Sequence, residues 1–222
     1  MRTRTGFTLV ELLVVIAIIM LLVALILPVM RSARGAAYQA VGASNMRQLY
    51  LGFQSYAGDN RGALPFVDAG FWGQDLPMRA GDVDWIGYWV DVKKMPKGGT
   101  LWPYILNRKI YICPADVLTT RKDFHIWTPI PGVHSYTVPV NREGRPFTAD
   151  LGGKVLLVDE SETTINDGGF ATNWDSIASR HRTSGYGAET RTNAGGNIMF
   201  GDGRVEFYHA GGIVAADAPM FQ

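Results

Sequence analysis

A single cysteine, Cys113, stands in a chain of 222 residues. No disulfide within the chain can form, and no multi-cysteine zinc site is available. Charge of one sign is not in excess either: 21 Lys and Arg against 20 Asp and Glu leave a net charge of +1. That excludes a generally basic nucleic-acid binder and an acidic disordered tail. Internal repeats and low-complexity tracts are absent, and no Gly-rich phosphate-binding loop is formed, since Gly152-Gly153-Lys154 lacks the rest of that pattern. What the chain does have is a long apolar run. Between residues 7 and 30 only Thr8, Glu11 and Pro28 fall outside the apolar set.

That run supplies about 24 residues where a membrane span needs ~20, and it exceeds the ~7–15 of a secretory h-region, with no small-residue cleavage site after it. It rules out a purely cytosolic soluble protein. Arg2 and Arg4 precede the run, and Arg31 and Arg34 follow it. The leading arginines and the short tail favour a cytoplasmic N-terminus with the larger part exported. Glu11 lies five residues into the run, where an ionised carboxylate costs several kcal/mol unless it sits at the headgroup boundary or finds a partner. The most economical partner is an N-terminal amine created by a cut just before Phe7.

Gly6-Phe7-Thr8-Leu9-Val10-Glu11, followed by the hydrophobic run with Pro28 near its end, resembles the type IV prepilin N-terminal signal, shared by pilins and the pseudopilins of type II secretion. The resemblance implies that Gly6 is the cleavage site, Phe7 the methylated residue and Glu11 the assembly residue. Pro28 is then a point where the helix kinks. The implied partners are a prepilin peptidase, other pilin or pseudopilin subunits, the inner membrane and the assembly machinery. Nucleic acid is not expected among them, although Arg180, Arg182, Arg191 and Arg204 lie near one another in sequence.

Residues 31–58 keep helical spacing, with Ala33, Ala37, Val41, Leu49, Phe53 and Tyr56 on one face. They read as an amphipathic continuation of the membrane helix, ended by Gly58-Asp59-Asn60-Arg61-Gly62. Residues 63–98 are loop-rich, with Trp72, Trp85 and Trp89 among Asp75, Asp82, Asp84 and Asp91. Calcium is conceivable there, but the spacing is not the EF-hand pattern, and the tryptophans read better as core than as a carbohydrate platform. A short helix is expected over 100–106 with Thr100 as N-cap. Strands are expected over 109–113, 135–140, 154–159, 196–200 and 204–208, the last two joined by the turn Gly201-Asp202-Gly203.

A second resemblance covers the exported part in patches. Asn45-Met46-Arg47-Gln48-Leu49, Tyr111 to Asp116, Leu156 to Glu160, Arg180-His181 and Gly196 to Gly203 are similar to a large family of bacterial prepilin-type proteins with a His-x9-Asp-Gly signature, here His181, Asp202 and Gly203. Twenty residues separate His181 from Asp202 instead of nine. Many members carry a cysteine that would partner the Cys-Pro cysteine; Gly42 stands at that place here. Asp159, Glu160, His181 and Asp202 are candidate metal ligands or acid–base groups. Asp202 between two glycines is equally what a turn requires, and Cys113 reads as a small buried hydrophobe. His134 beside Ser135 makes no triad, because neighbouring strand residues face opposite ways.

The expected fold is α+β and pilin-like: one long N-terminal helix, half transmembrane and half amphipathic, packed on a C-terminal antiparallel sheet. The expected divisions are a leader over 1–6, a membrane segment over 7–30, the amphipathic helix over 31–60 and an exported domain over 61–222. The expected protein is a single-pass inner-membrane subunit of a pilus or secretion filament, with its C-terminal domain periplasmic or extracellular. It has no catalytic residue and needs no cofactor. The alternative is a membrane-anchored module that binds polysaccharide or another surface ligand through loops 63–98.

Overall fold

The computed structural model describes residues 8–67, 83–87, 95–116, 121–122, 129–130, 134–139, 151–161, 169–170, 177–178, 180–181 and 195–209. Helix α1 spans Leu9–Asp59, 51 residues, or ~76 Å at ~1.5 Å per residue. Thr8 caps it: its hydroxyl accepts from the Glu11 backbone N–H at 3.2 Å. At the far end Arg61 and Gly62 take positive φ of 56° and 81°, and the Gly62 N–H closes on the Ala57 carbonyl at 2.7 Å. The helix runs uninterrupted past Pro28.

Two halves of α1 live in different surroundings. From Leu9 to Leu27 nothing is buried, and the segment is long and apolar enough to cross a membrane. From residue 42 onward Gly42, Met46, Leu49, Phe53 and Ala57 are buried, at the three- and four-residue spacing of one helix face. The expected face is therefore corrected at its start. Ala33, Ala37 and Val41 are exposed, because the globular domain covers only the last turns of the helix.

Those turns lie against α2 (Trp102–Ile105), a 3-10 helix (Arg108–Tyr111) and two sheet strands. Phe53, Trp85, Tyr111 and Trp102 form a chain of rings with centroids 5.7, 6.0 and 6.3 Å apart. Two expectations in this region are overturned. Leu101, not Thr100, is the N-cap of α2. Residues 109–113 are not a strand: Asn107 accepts from the Lys109 N–H at 3.1 Å and starts the 3-10 turn. Asn45 fixes α1 to that turn, its side-chain amide donating to the Ile112 carbonyl at 3.0 Å.

Among the described residues the main sheet has five strands. β3 is Tyr136–Pro139, β4 Val155–Asp159, β5 Gly169–Phe170, β6 Gly195–Phe200 and β7 Val205–His209, in the order β5-β3-β4-β6-β7. A separate two-stranded ribbon pairs β1 (Arg121–Lys122) with β2 (Pro129–Ile130). The sheet is mixed and not wholly antiparallel, since β5 pairs parallel with β3. β4 and β6 are buried along their whole length. One core joins Leu156, Leu157 and Met199 to α1, and a second packs Val155, Val158, Ile198 and Phe200 against Phe170 and Ile177. β6 and β7 turn at residues 201–204 as expected. There Gly203 has φ +83°, a value that favours glycine, and the Asp202 carboxylate accepts from the Arg204 N–H at 2.9 Å.

Candidate functional site

Two places combine unusual chemistry with defined geometry. The first is the start of α1. The Glu11 carboxylate accepts from the Thr8 backbone N–H at 2.8 Å and from the Thr8 hydroxyl at 2.7 Å. Together with the return bond from the Glu11 N–H this is a capping box. A negative group at a helix N-terminus also faces the positive end of the helix dipole. The charge is thus held at the first turn, at the edge of the apolar segment. Gly6 and Phe7 lie outside the described residues.

The second place is a buried polar cluster at one end of β4. Strand β4 ends in Asp159, fully buried. The turn after the 3-10 helix carries Cys113, also fully buried and free. His181 bridges to Gly195 at the start of β6, its backbone N–H donating to that carbonyl at 3.1 Å. Three pieces of chain far apart in sequence so converge. His181 Nε2 stands 2.8 Å from Asp159 Oδ2 and 3.4 Å from Cys113 Sγ. Arg180 closes the cluster. Its Nη1 donates to Asp159 Oδ1 at 3.1 Å and to Asp116 Oδ2 at 3.2 Å, and its Nη2 donates to the Glu160 carbonyl. The Ser135 hydroxyl donates to Asp116 Oδ2 at 2.5 Å and accepts from the Cys113 N–H at 2.9 Å.

The electrostatics follow from burial. Loss of hydration, and then the Asp159 carboxylate, push the Cys113 thiol well above its ordinary range, with Arg180 pulling the other way. A thiolate nucleophile is not available under those conditions. The geometry excludes a relay as well. In a nucleophile–His–carboxylate relay the carboxylate sits on the ring nitrogen opposite the nucleophile. Here sulfur and carboxylate meet the same nitrogen.

The structure redistributes the residues singled out from sequence. Asp159 and His181 come together, and Cys113, read as a plain hydrophobe, joins them. Asp202 does not. It lies past the other end of β6 from Gly195, ~17 Å along the strand at ~3.4 Å per residue, and its side chain is 46% exposed beside Arg204. His181 and Asp202 therefore do not form one site. The Glu160 side chain alternates away from Asp159 along the strand and is not among the converging ligand atoms. Of the four arginines, Arg180 and Arg204 are engaged by carboxylates, and Arg182 and Arg191 lie outside the described residues. Trp85 is core and Asp84 is buried; Trp72, Trp89, Asp75, Asp82 and Asp91 lie outside the described residues.

Residues 1–27 match the family model of the prokaryotic N-terminal methylation motif. The chain thus carries a prepilin-like N-terminus. The match ends before His181, Asp202 and Gly203. No curated protein and no solved structure matches the chain.

Proposed function

We propose that the chain is the precursor of a pilin-like or pseudopilin subunit, a structural protein and not an enzyme. A prepilin peptidase cuts after Gly6 and methylates the new N-terminal Phe7. Residues 7–30 hold the product in the inner membrane, with 31–60 continuing the helix and 61–222 outside the cytoplasm. The assembly machinery then extracts it into a pilus or secretion filament through contacts between copies of α1, where Pro28 gives the helix a place to bend.

The observation that carries this reading is the match of residues 1–27 to the methylation motif together with a carboxylate inside an otherwise exposed apolar helix. An ionised carboxylate in the apolar stretch of a membrane helix carries an insertion cost, smaller near the helix end than the about 2.5–3.5 kcal/mol at its centre. Thr8 compensates Glu11 in the single chain with two hydrogen bonds. A cationic amine on a neighbouring subunit compensates it better, since its full positive charge adds Coulomb attraction that the neutral Thr8 donors lack. Glu11 so favours the assembled state over the dispersed one.

The test is Glu11→Ala. It removes the charge, so the variant inserts into the membrane and is cleaved normally, but it is not recovered in sheared filaments or in cross-linked oligomers. Incorporation at the wild-type level would refute the role of Glu11.

A further inference from the structure

We propose that Cys113, Asp159 and His181 form a zinc-binding centre that ties the 3-10 segment to the end of β4 and the start of β6. The three ligand atoms, Sγ, Oδ2 and Nε2, lie within 4.8 Å of one another, and all three residues are buried. Two of the separations are 3.4 Å and 2.8 Å. Tetrahedral Zn2+, with bonds of ~2.3 Å to sulfur and ~2.0–2.1 Å to nitrogen and oxygen, holds such atoms ~3.3–3.6 Å apart. The Nε2–Oδ2 pair has to open by about half an ångström to take the ion, while Nε2 and Sγ already stand near their tetrahedral separation.

The direction of the histidine is the second argument. One nitrogen faces both the sulfur and the carboxylate oxygen. A single N–H cannot be shared well between two acceptors, but one lone pair aimed at a central cation satisfies the same geometry. Nδ1 is buried with no hydrogen bond among the described residues, so it can carry the ring proton when Nε2 is a ligand. Further hydrogen bonds hold the three ligand residues in place. Arg180 holds the second oxygen of Asp159 at 3.1 Å, Ser135 holds the Cys113 N–H at 2.9 Å, and Gly195 holds the His181 N–H at 3.1 Å.

The donor set selects the ion. Thiolate, imidazole and a single carboxylate suit Zn2+, whereas Ca2+ and Mg2+ take oxygen ligands throughout. Binding replaces the thiol proton by the metal: Zn2+ and Cys113–SH give the zinc thiolate and one released proton, with His181 neutral. Three protein ligands leave the fourth position to a water. The ground beside the sulfur is polar enough to hold one. The point where a Cβ on Gly42 would sit is 3.8 Å from Sγ, 3.5 Å from Tyr136 Oη and 3.1 Å from Asn197 Nδ2.

Because the ligands are buried, the ion enters as the chain folds, so the metal is supplied during synthesis. The full chain is expressed in Co2+-supplemented medium, purified in detergent under reducing conditions and examined for metal content and visible absorption. One Co2+ per chain and a thiolate-to-cobalt charge-transfer band are expected, and growth in Zn2+ replaces the band with one Zn2+ per chain. Cys113→Ser abolishes the band; His181→Gln and the isosteric Asp159→Asn lower bound metal at least tenfold. Folding of each variant is followed by circular dichroism, and the other two variants decide the question if Cys113→Ser fails to fold. A folded wild-type chain without metal overturns the proposal, as does metal that persists in the folded variants.

Discussion

Gly42→Cys tests the placement of α1 against the sheet by chemistry. The Cβ of residue 42 would lie 3.8 Å from Cys113 Sγ. A disulfide with its S–S bond of ~2.05 Å places each Cβ ~3 Å from the partner sulfur, so the Cys113 side chain has to close by about 0.8 Å. Asn197 Nδ2, 3.1 Å from the same point, has to yield by a few tenths of an ångström. It is a side-chain amide that also donates to the Gln39 carbonyl at 3.1 Å, so that shift loosens one hydrogen bond worth about 1 kcal/mol. The bridge would close 71 residues of chain, the difference between positions 113 and 42. Loop-closure entropy for that length is worth about 4.4 kcal/mol on the scale where 15 residues give ~3 and 100 give ~4.7. Subtracting the loosened bond leaves about 3–4 kcal/mol, or about 6–16 °C at ~2–4 °C per kcal/mol for a domain of this size. The full chain in detergent is oxidised or reduced, its thiols are counted by alkylation and intact mass, and both forms are melted. The oxidised form is expected to lose both free thiols and to melt higher by that margin, without bound zinc, since the bridge consumes one ligand. A folded variant whose two thiols both stay free after oxidation would refute the approach of α1 to Cys113.

Two further outcomes follow from the buried groups. Arg180→Met leaves the Asp159 and Asp116 carboxylates without the guanidinium they share; removing one partner of a buried pair costs about 3–5 kcal/mol. The urea midpoint should fall accordingly, and a shift within error of zero would remove the pair from the account. Burial also raises the Tyr111 hydroxyl and the Tyr136 hydroxyl well above the ordinary tyrosine range. A raised folded-state value means the contribution is intact below about pH 10, where the unfolded chain keeps its phenol protons, and is lost as pH rises further. Stability should therefore hold to about pH 10 and fall above it. Tyrosinate absorbance that accounts for all nine tyrosines in the still-folded protein at the unfolded-chain pH would contradict this.

The long helix, the β6–β7 hairpin and the core strand β4 were legible because each is written locally: an apolar run continued at helical spacing over 31–58, glycines around Asp202, and an unbroken apolar stretch from Val155 to Val158. The 3-10 turn at 108–111 read as a strand because Ile110, Tyr111 and Cys113 are apolar and strand-like in sequence. What decides it is the Asn107 side chain capping Lys109. The face of α1 was misplaced at Ala33 to Val41 because periodicity marks a stripe without saying where the covering domain begins. Cys113 was missed as a candidate ligand because a lone cysteine before Pro114 carries no spacing; its partners Asp159 and His181 reach it only through the sheet. The same sheet separates His181 from Asp202, which the linear signature had joined.

The central claim, that this chain is processed as a prepilin, is tested most directly by intact-mass and N-terminal peptide mass spectrometry of the protein isolated from its native membrane. The account predicts a chain that begins at N-methylated Phe7, with residues 1–6 gone. A mature chain that still begins at Met1 or Arg2 would contradict it and leave α1 a plain anchor.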